Sequence, residues 1–177
     1  DRRLCQNVGM CQALVVNSGV AKTCTGEQGI HDAEAMAAHV GKSLGIDPDM
    51  VAVASTGVIG MRLPMDVIQR GIDMLVPELS YSIDAGVDAA EAIKTTDIYK
   101  KEIAVTLEIK GQQVTIGGMC KGSGMINPNL GTVLSFITTD LNISSELLGK
   151  VLKADVVDTY NMVSVDGDMS TNDTVMI

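Results

Sequence analysis

At 177 residues, 46% hydrophobic and 20% charged, the chain amounts to one domain and is expected to be globular and soluble, with a core that needs no staples. The net charge of −9 argues against a nucleic-acid or anionic-membrane partner, because counterion release requires Lys and Arg clusters. Aromatic residues make up only 2%, so the core must be built from Val, Ile, Leu, Met and Ala, a packing that suits layered α/β structure.

Ala13-Leu14-Val15-Val16 reads as a buried strand ended by the turn residues Asn17-Ser18-Gly19, and the small and polar run from Ala21 to Gly26 has loop composition. From Asp32 to Leu44, Met36, Ala37, Val40 and Leu44 recur at helical spacing until Gly45 ends the pattern. Val51-Ala52-Val53-Ala54 predicts a second buried strand that delivers Ser55-Thr56-Gly57 to its C-terminal end, where open α/β folds collect their chemistry. Pro64 sits where a first-turn proline belongs, and Ile68, Ile72 and Leu75 mark the inward stripe of a helix to about Val76. Asp84 to Ile93 reads as a third helix ending at Thr95-Thr96-Asp97.

The period then switches to two. Ile103, Val105, Leu107 and Ile109 alternate with other residues, Gly111 turns the chain, and Val114 and Ile116 resume the alternation, which predicts a hairpin. A glycine-rich loop is expected from Gly117 to Gly131, followed by a strand from Val133 to Ile137. Ser144 predicts the cap of a helix carrying Leu147, Leu148, Val151 and Leu152, and Met162-Val163-Ser164-Val165 predicts a closing strand. Strands and helices come in blocks, which favours sheets layered with helices over a uniform parallel wind.

Four cysteines, Cys5, Cys11, Cys24 and Cys120, show no C-x-x-C spacing and read as reduced thiols. No apolar run reaches the roughly 20 residues of a spanning helix, and Asp1-Arg2-Arg3 opens no signal peptide, so an intracellular compartment is expected. Both ends are abrupt, which predicts a piece of a longer protein.

Among the motifs, Gly117 to Gly124 lacks the Gly-Lys-Ser/Thr order and the following helix of a phosphate loop. Asp166 to Asp173 opens like a calcium loop but lacks Gly at the sixth position and Glu at the twelfth, so a hydrogen-bonded turn is expected and no metal site. His31 and His39 have no metal-ligand partners in spacing. Thr132 admits two readings. A Thr opening a strand ordinarily reflects β-propensity alone. Gly131 before it, however, leaves its carbonyl open to attack, and a Thr freed by such a cut is a nucleophile carrying its own amine as base. Thr56 and Gly57 offer a hydroxyl and an amide donor suited to an oxyanion hole.

Several blocks, in order, resemble one family. They are Asn17-Ser18-Gly19, Cys24-Thr25-Gly26, Ala54 to Gly60, Leu63-Pro64-Met65, Thr95-Thr96-Asp97, Gly117-Gly118-Met119, Lys121 to Thr132, Phe136 to Asp140, Val165 to Asp168, and Ser170 to Thr174. The chain from about Leu14 onward is similar to the bifunctional ornithine acetyltransferases (glutamate N-acetyltransferases) of arginine biosynthesis.

The resemblance implies an αββα fold like that of the N-terminal-nucleophile hydrolases. It implies self-cleavage between Gly131 and Thr132, with residues 1–131 closing an α chain and 132–177 opening a β chain within one truncated catalytic domain, and assembly as α2β2 in the cytoplasm. Thr132 would be the nucleophile, Thr56 and Gly57 the oxyanion hole, and Thr95, Lys121 and Thr132 the substrate contacts, with Lys121 pairing a substrate carboxylate. The implied reaction moves acetyl from N-acetylornithine to glutamate through an acetyl-threonine intermediate, with no cofactor; some members also take acetyl-CoA. The chain departs from the family in having Gly131 where Ala is common before the Thr, and in its Asn17 to Lys22 loop. A self-processing aminopeptidase of the related fold is the rival reading, and a non-catalytic interface piece a third.

Overall fold

The structure, a computed structural model, describes residues 10–128 and 133–177. Its elements fall into two units, one ending at Ala85 and the other starting at Gly86. In the first unit, β1 (Ala13–Asn17) runs parallel to β2 (Val51–Ser55), with Ala13 opposite Val51 and Asn17 opposite Ser55. Parallel neighbours need a long crossover, and α1 (Gly26–Leu44) provides it. Gly45, at φ 69°, ends α1 by donating its N–H to the Gly41 carbonyl. The helix begins at Gly26 instead of Asp32. Its first turns carry no apolar stripe, since Gly29 is buried while Ile30 is 61% exposed, so helical periodicity was not there to be seen.

All of β2 is buried. Met36, Val53 and Leu63 form one core cluster, and Val40, Val51 and Ile72 a second; Val15 packs against both. The helix carrying Ile68 and Ile72 is α2 (Met65–Leu75), capped by Pro64 and continued as a 3-10 turn over Val76–Glu78. At 11 residues it would be marginal alone, and burial of its inward face against α1 sustains it.

Helix α3 (Ile83–Ala92) spans the division between the units. The second unit holds a four-stranded sheet in the order β3-β4-β5-β6. Strands β3 (Lys101–Ile109) and β4 (Gln112–Lys121) form the predicted hairpin, turned by Lys110 and Gly111 at φ 50° and 77°. Two consecutive positive φ angles match the right-handed twist of the flanking strands. β5 (Leu134–Thr139) lies antiparallel to β4, and β6 (Thr174–Met176) parallel to β5. Ser144 accepts the Leu147 N–H and starts α4 (Ser145–Asp158), as its sequence predicts.

Two expectations are corrected here. Gly117 to Lys121 is strand and not loop: Gly117 and Gly118 pair with Ala104 and Ile103 on one side and with Thr138 and Ile137 on the other. A central strand is held by main-chain bonds on both edges, which glycine supplies as well as any residue. Met162 to Val165 is not a strand. A 3-10 turn over Tyr160–Met162 takes its start, and the place beside β5 belongs to β6. The architecture is mixed α/β with helices and sheets in blocks. Among the described residues, no helix is long and apolar enough to cross a membrane.

Candidate active site

In the first unit the end of β2 is tied to the loop after β1. The Thr56 N–H donates to the Asn17 carbonyl at 3.0 Å, the Val58 N–H to Gly19 at 3.1 Å, and the Ala21 N–H to Val58 at 2.9 Å, so the parallel pairing continues past both strands. Thr56 is buried and Gly57 exposed. Gly57 must be glycine on two counts. Its φ is 126°, and a Cβ there would stand 2.3 Å from the Gly19 carbonyl carbon. Among the described residues no acceptor meets the Gly57 N–H, which leaves it an outward donor beside the Thr56 backbone. An unengaged, exposed main-chain N–H is a donor that a developing negative charge could use.

Lys22 braces this corner. Its main-chain N–H donates to Ser55 Oγ at 2.9 Å, and its ammonium reaches the Val53 carbonyl at 2.8 Å, where burial pulls its pKa down. Asn17 Nδ2 closes the turn onto the Val20 carbonyl at 2.8 Å, while its Oδ1 is buried with no partner among the described residues. Sequence reasoning placed Lys22 in a run of loop composition and gave it no role.

In the second unit, Asp97 is the organising residue. It is 8% exposed and sits in the loop after α3. Its Oδ1 accepts the Gly122 N–H at 2.9 Å and pairs with the Lys101 ammonium, and its Oδ2 accepts the Thr95 N–H at 3.4 Å. Burial pushes its carboxyl upward, but Lys101 and the Gly122 and Thr95 amides outweigh that and hold it below the usual carboxylate value. This junction joins the Thr95 loop to the Lys121 end of β4, and Thr96 Oγ1 meets Ser123 Oγ at 2.6 Å across the same joint. The structure therefore brings together the segments of two predicted site residues, Thr95 and Lys121, through Asp97, which stood in a recognisable block but was given no role.

Lys121 itself is only 3% exposed and forms no ion pair among the described residues. Burial lowers its pKa, while the charges of Asp97 and Asp173 pull the other way. A desolvated ammonium without an ion pair is chemically able to take a carboxylate partner. Cys120 beside it is a thiol raised by burial, so it is a weak nucleophile there. Lys121 stands opposite Leu134 in the β4–β5 ladder. The expected cleavage pair, Gly131 and Thr132, lies outside the described residues. The residues around it are placed: Val133 donates its N–H to Asp173 Oδ1 at 3.0 Å and accepts from the Thr174 N–H at 2.9 Å.

The calcium-like stretch is a turn closed on itself and on the chain before the cleavage pair. Asp166 accepts the Met125 N–H at 2.6 Å and the Ile126 N–H at 3.1 Å, along with the Asp168 N–H at 3.3 Å. The Met125 amide first, then those of Asp168 and Ile126, hold its exposed carboxyl below its ordinary value. Among the described residues, no group of three or more His, Cys, Asp or Glu side chains is gathered as for a metal. His39 bonds Asp73 across α1 and α2 at 2.7 Å, and Cys11, Cys24 and Cys120 are free thiols.

Comparison with known proteins gives consistent results. The chain matches the ArgJ family model over residues 1–177. It is 50% identical over 169 residues to the arginine biosynthesis bifunctional protein ArgJ of Caldanaerobacter subterraneus subsp. tengcongensis, covering 96% of this chain and 41% of that one. The ArgJ of Listeria monocytogenes serotype 4b is 51% identical over 172 residues, covering 97% and 42%. The chain thus spans about two fifths of the length of the curated relatives it matches. Among solved structures, an ornithine acetyltransferase of Mycobacterium tuberculosis complexed with ornithine superposes with a TM-score of 0.65 at 39% identity, covering 72% of this chain and 66% of that one. An ArgJ of Bacillus halodurans superposes with a TM-score of 0.59 at 45% identity, covering 66% and 60%.

Proposed function

The chain belongs to the ArgJ family, and from that premise we propose that it is part of an acetyltransferase of arginine biosynthesis that moves acetyl from N-acetylornithine to glutamate after cutting itself between Gly131 and Thr132. The observation that carries this reading is 50% identity along 96% of the chain to a bifunctional ArgJ. In the proposed cut, Thr132 Oγ attacks the Gly131 carbonyl carbon and its proton passes to the Thr132 nitrogen as the peptide C–N bond breaks. Water then hydrolyses the resulting ester, leaving a Gly131 carboxylate and a free Thr132 with hydroxyl and amine.

In the proposed transfer, the same oxygen attacks the acetyl carbonyl of N-acetylornithine. Ornithine leaves with the proton that the Thr132 amine took up, and an acetyl ester remains. The amine of glutamate attacks that ester, gives N-acetylglutamate and returns the hydroxyl. The free Gly57 N–H and Thr56 are assigned to the developing oxyanion, and a rigid backbone donor there stabilises charge without reorganising. Lys121 is assigned to a substrate carboxylate, because its buried ammonium lacks a close counter-ion among the described residues. Thr95 is assigned to substrate contact beside it, held in reach by Asp97. None of these steps draws on a resident cofactor, with acetyl-CoA a further donor to assay.

The full-length protein is assembled in this reading as two chains per precursor, in pairs. Intact mass should show two pieces meeting at Gly131/Thr132, and incubation with N-acetylornithine and glutamate should yield N-acetylglutamate. Thr132→Ala should abolish both. Retained exchange in that variant removes Thr132 from the mechanism, and release of amino acids from peptides without acetyl exchange would favour the aminopeptidase instead.

A further inference from the structure

The turn from Asp166 to Asp173 does more than close on itself. Its first carboxylate takes the Met125 and Ile126 amides at 2.6 and 3.1 Å, and its last takes the Val133 amide at 3.0 Å. One short segment therefore grips the chain on both sides of residues 127–132. The upstream grip is reinforced. The Val165 N–H donates to the Ile126 carbonyl at 2.9 Å, and Ser164 Oγ donates to Asn127 Oδ1 at 3.3 Å. The downstream grip is reinforced as well, by the Thr174 N–H on the Val133 carbonyl at 2.9 Å and by the β5–β6 pairing from Leu134 opposite Thr174.

The upstream clip also holds a backbone that would not choose its shape. Met125 lies at φ 57°, a left-handed conformation unusual for a residue with a side chain, and such conformers persist only where the surroundings over-determine them. Next to it, a Cβ on Gly124 would stand 3.3 Å from Asp166 Oδ2, tighter than ordinary contact, so the small residue lets the carboxylate close in.

Resting on the self-cleavage reading above, we infer that Asp166 and Asp173 are positioning residues for that cut, clipping the chain before and after the scissile bond. The physical reason is entropic. Intramolecular attack is fast only from a near-attack geometry, and a segment with both ends pinned visits far fewer others. The need is sharper with Gly131 before the Thr, since glycine leaves the carbonyl side of the bond freer than alanine does. Asp166 spends both oxygens on main-chain amides, while Asp173 holds the Val133 amide and the Ser170 side chain; the role assigned to both is holding the chain and not moving a proton. The two clips differ in one testable respect. Both oxygens of Asp166 accept amides, whereas the Val133 amide needs only Oδ1 of Asp173. An Asn can therefore replace Asp173, since its other partner, the Ser170 hydroxyl, can accept as well as donate, but an Asn at Asp166 turns its NH2 against an N–H.

The test follows the uncut fraction of the full-length precursor by intact mass after synthesis. Asp166→Ala, Asp166→Asn and Asp173→Leu should each cut at least tenfold more slowly than the unsubstituted precursor, while Asp173→Asn should stay within threefold of it. Thermal unfolding is measured for each change in a Thr132→Ala background, where no cut intervenes. Wild-type cutting rates in Asp166→Ala and Asp173→Leu would overturn the inference. So would slowing that tracks the loss of melting temperature across all four variants with no rescue by Asn. If the unsubstituted precursor fails to cut at Gly131/Thr132, the cleavage reading falls and the clips fall with it; cutting that ignores the clips sinks this inference alone.

Discussion

Lys121 is an ammonium in a place that charges avoid, 3% exposed and without an ion pair among the described residues. If the site exists to receive a carboxylate, the residue works against stability until substrate arrives. An unpaired buried charge carries a desolvation cost that an apolar side chain of similar length does not. Lys121→Met in the full-length enzyme should therefore keep or raise the urea midpoint while acetyl exchange falls by roughly 10²-fold, the scale of one lost charge-assisted contact. A parallel loss of both would make Lys121 structural. Asp97 is the opposite case. Its folded pKa lies below the ordinary carboxylate value, so in acid the unfolded chain binds more protons than the folded one, and stability rises with pH. The contribution is complete above the unfolded pKa and is lost as pH falls through the folded one. Asp97→Asn should cost roughly 2–3 kcal/mol near neutral pH, the scale of hydrogen bonds to a charged group. In urea titrations the gap between variant and parent should then narrow once the pH drops below the unfolded pKa. A gap that is constant with pH would show that the charge at Asp97 is not what binds the Thr95 loop to Gly122.

At the scale of elements, Met36 is the keystone of the first unit: it is fully buried against Val53 and Leu63, where α1 meets β2. Met36→Ala should destabilise by about 2–4 kcal/mol, read from denaturant midpoints; a smaller cost would mean that α1 collapses into the gap. Such elements were legible because burial writes a period into the sequence. Met36 and Val40 on α1, Ile68 and Ile72 on α2, and the alternation through Ile103 to Ile109 each announced their structure. What stayed hidden had no side-chain signature. Gly117 and Gly118 extend β4 through main-chain bonds alone, and Gly26 to His31 lengthens α1 without an apolar stripe. Met162 to Val165 looked like a strand by composition, but a strand also needs a free neighbour, and β5 had already taken β6. The site divides in the same way. Thr56, Gly57, Thr95 and Lys121 stood out with a role, whereas Asp97, Asp166 and Asp173 lay in recognisable blocks without one, because they act through bonds to distant amides that no spacing reveals. Asp97 and Gly122, for instance, are 25 positions apart.

For the molecule as a whole, the matched relatives are more than twice as long, and apolar side chains such as Ile103 and Val105 stand 71% and 47% exposed. The proposed cut would fall between two strands that lie side by side. β4 belongs to the piece before Thr132 and β5 to the piece after it, and they are paired from Ile116 opposite Thr139 to Lys121 opposite Leu134. The Asp166 carboxylate, from the later piece, would likewise go on holding Met125 and Ile126 of the earlier one. An affinity tag on either piece should retrieve both in equal amounts from native buffer, with separation only in denaturant; recovery of one piece alone would contradict the shared sheet. Breaking that single peptide bond would thus sever the covalent thread but leave the woven fabric whole. Under that proposal the two polypeptides would inherit a common seam that neither could have formed alone, and the uncut precursor would be the template for joining them.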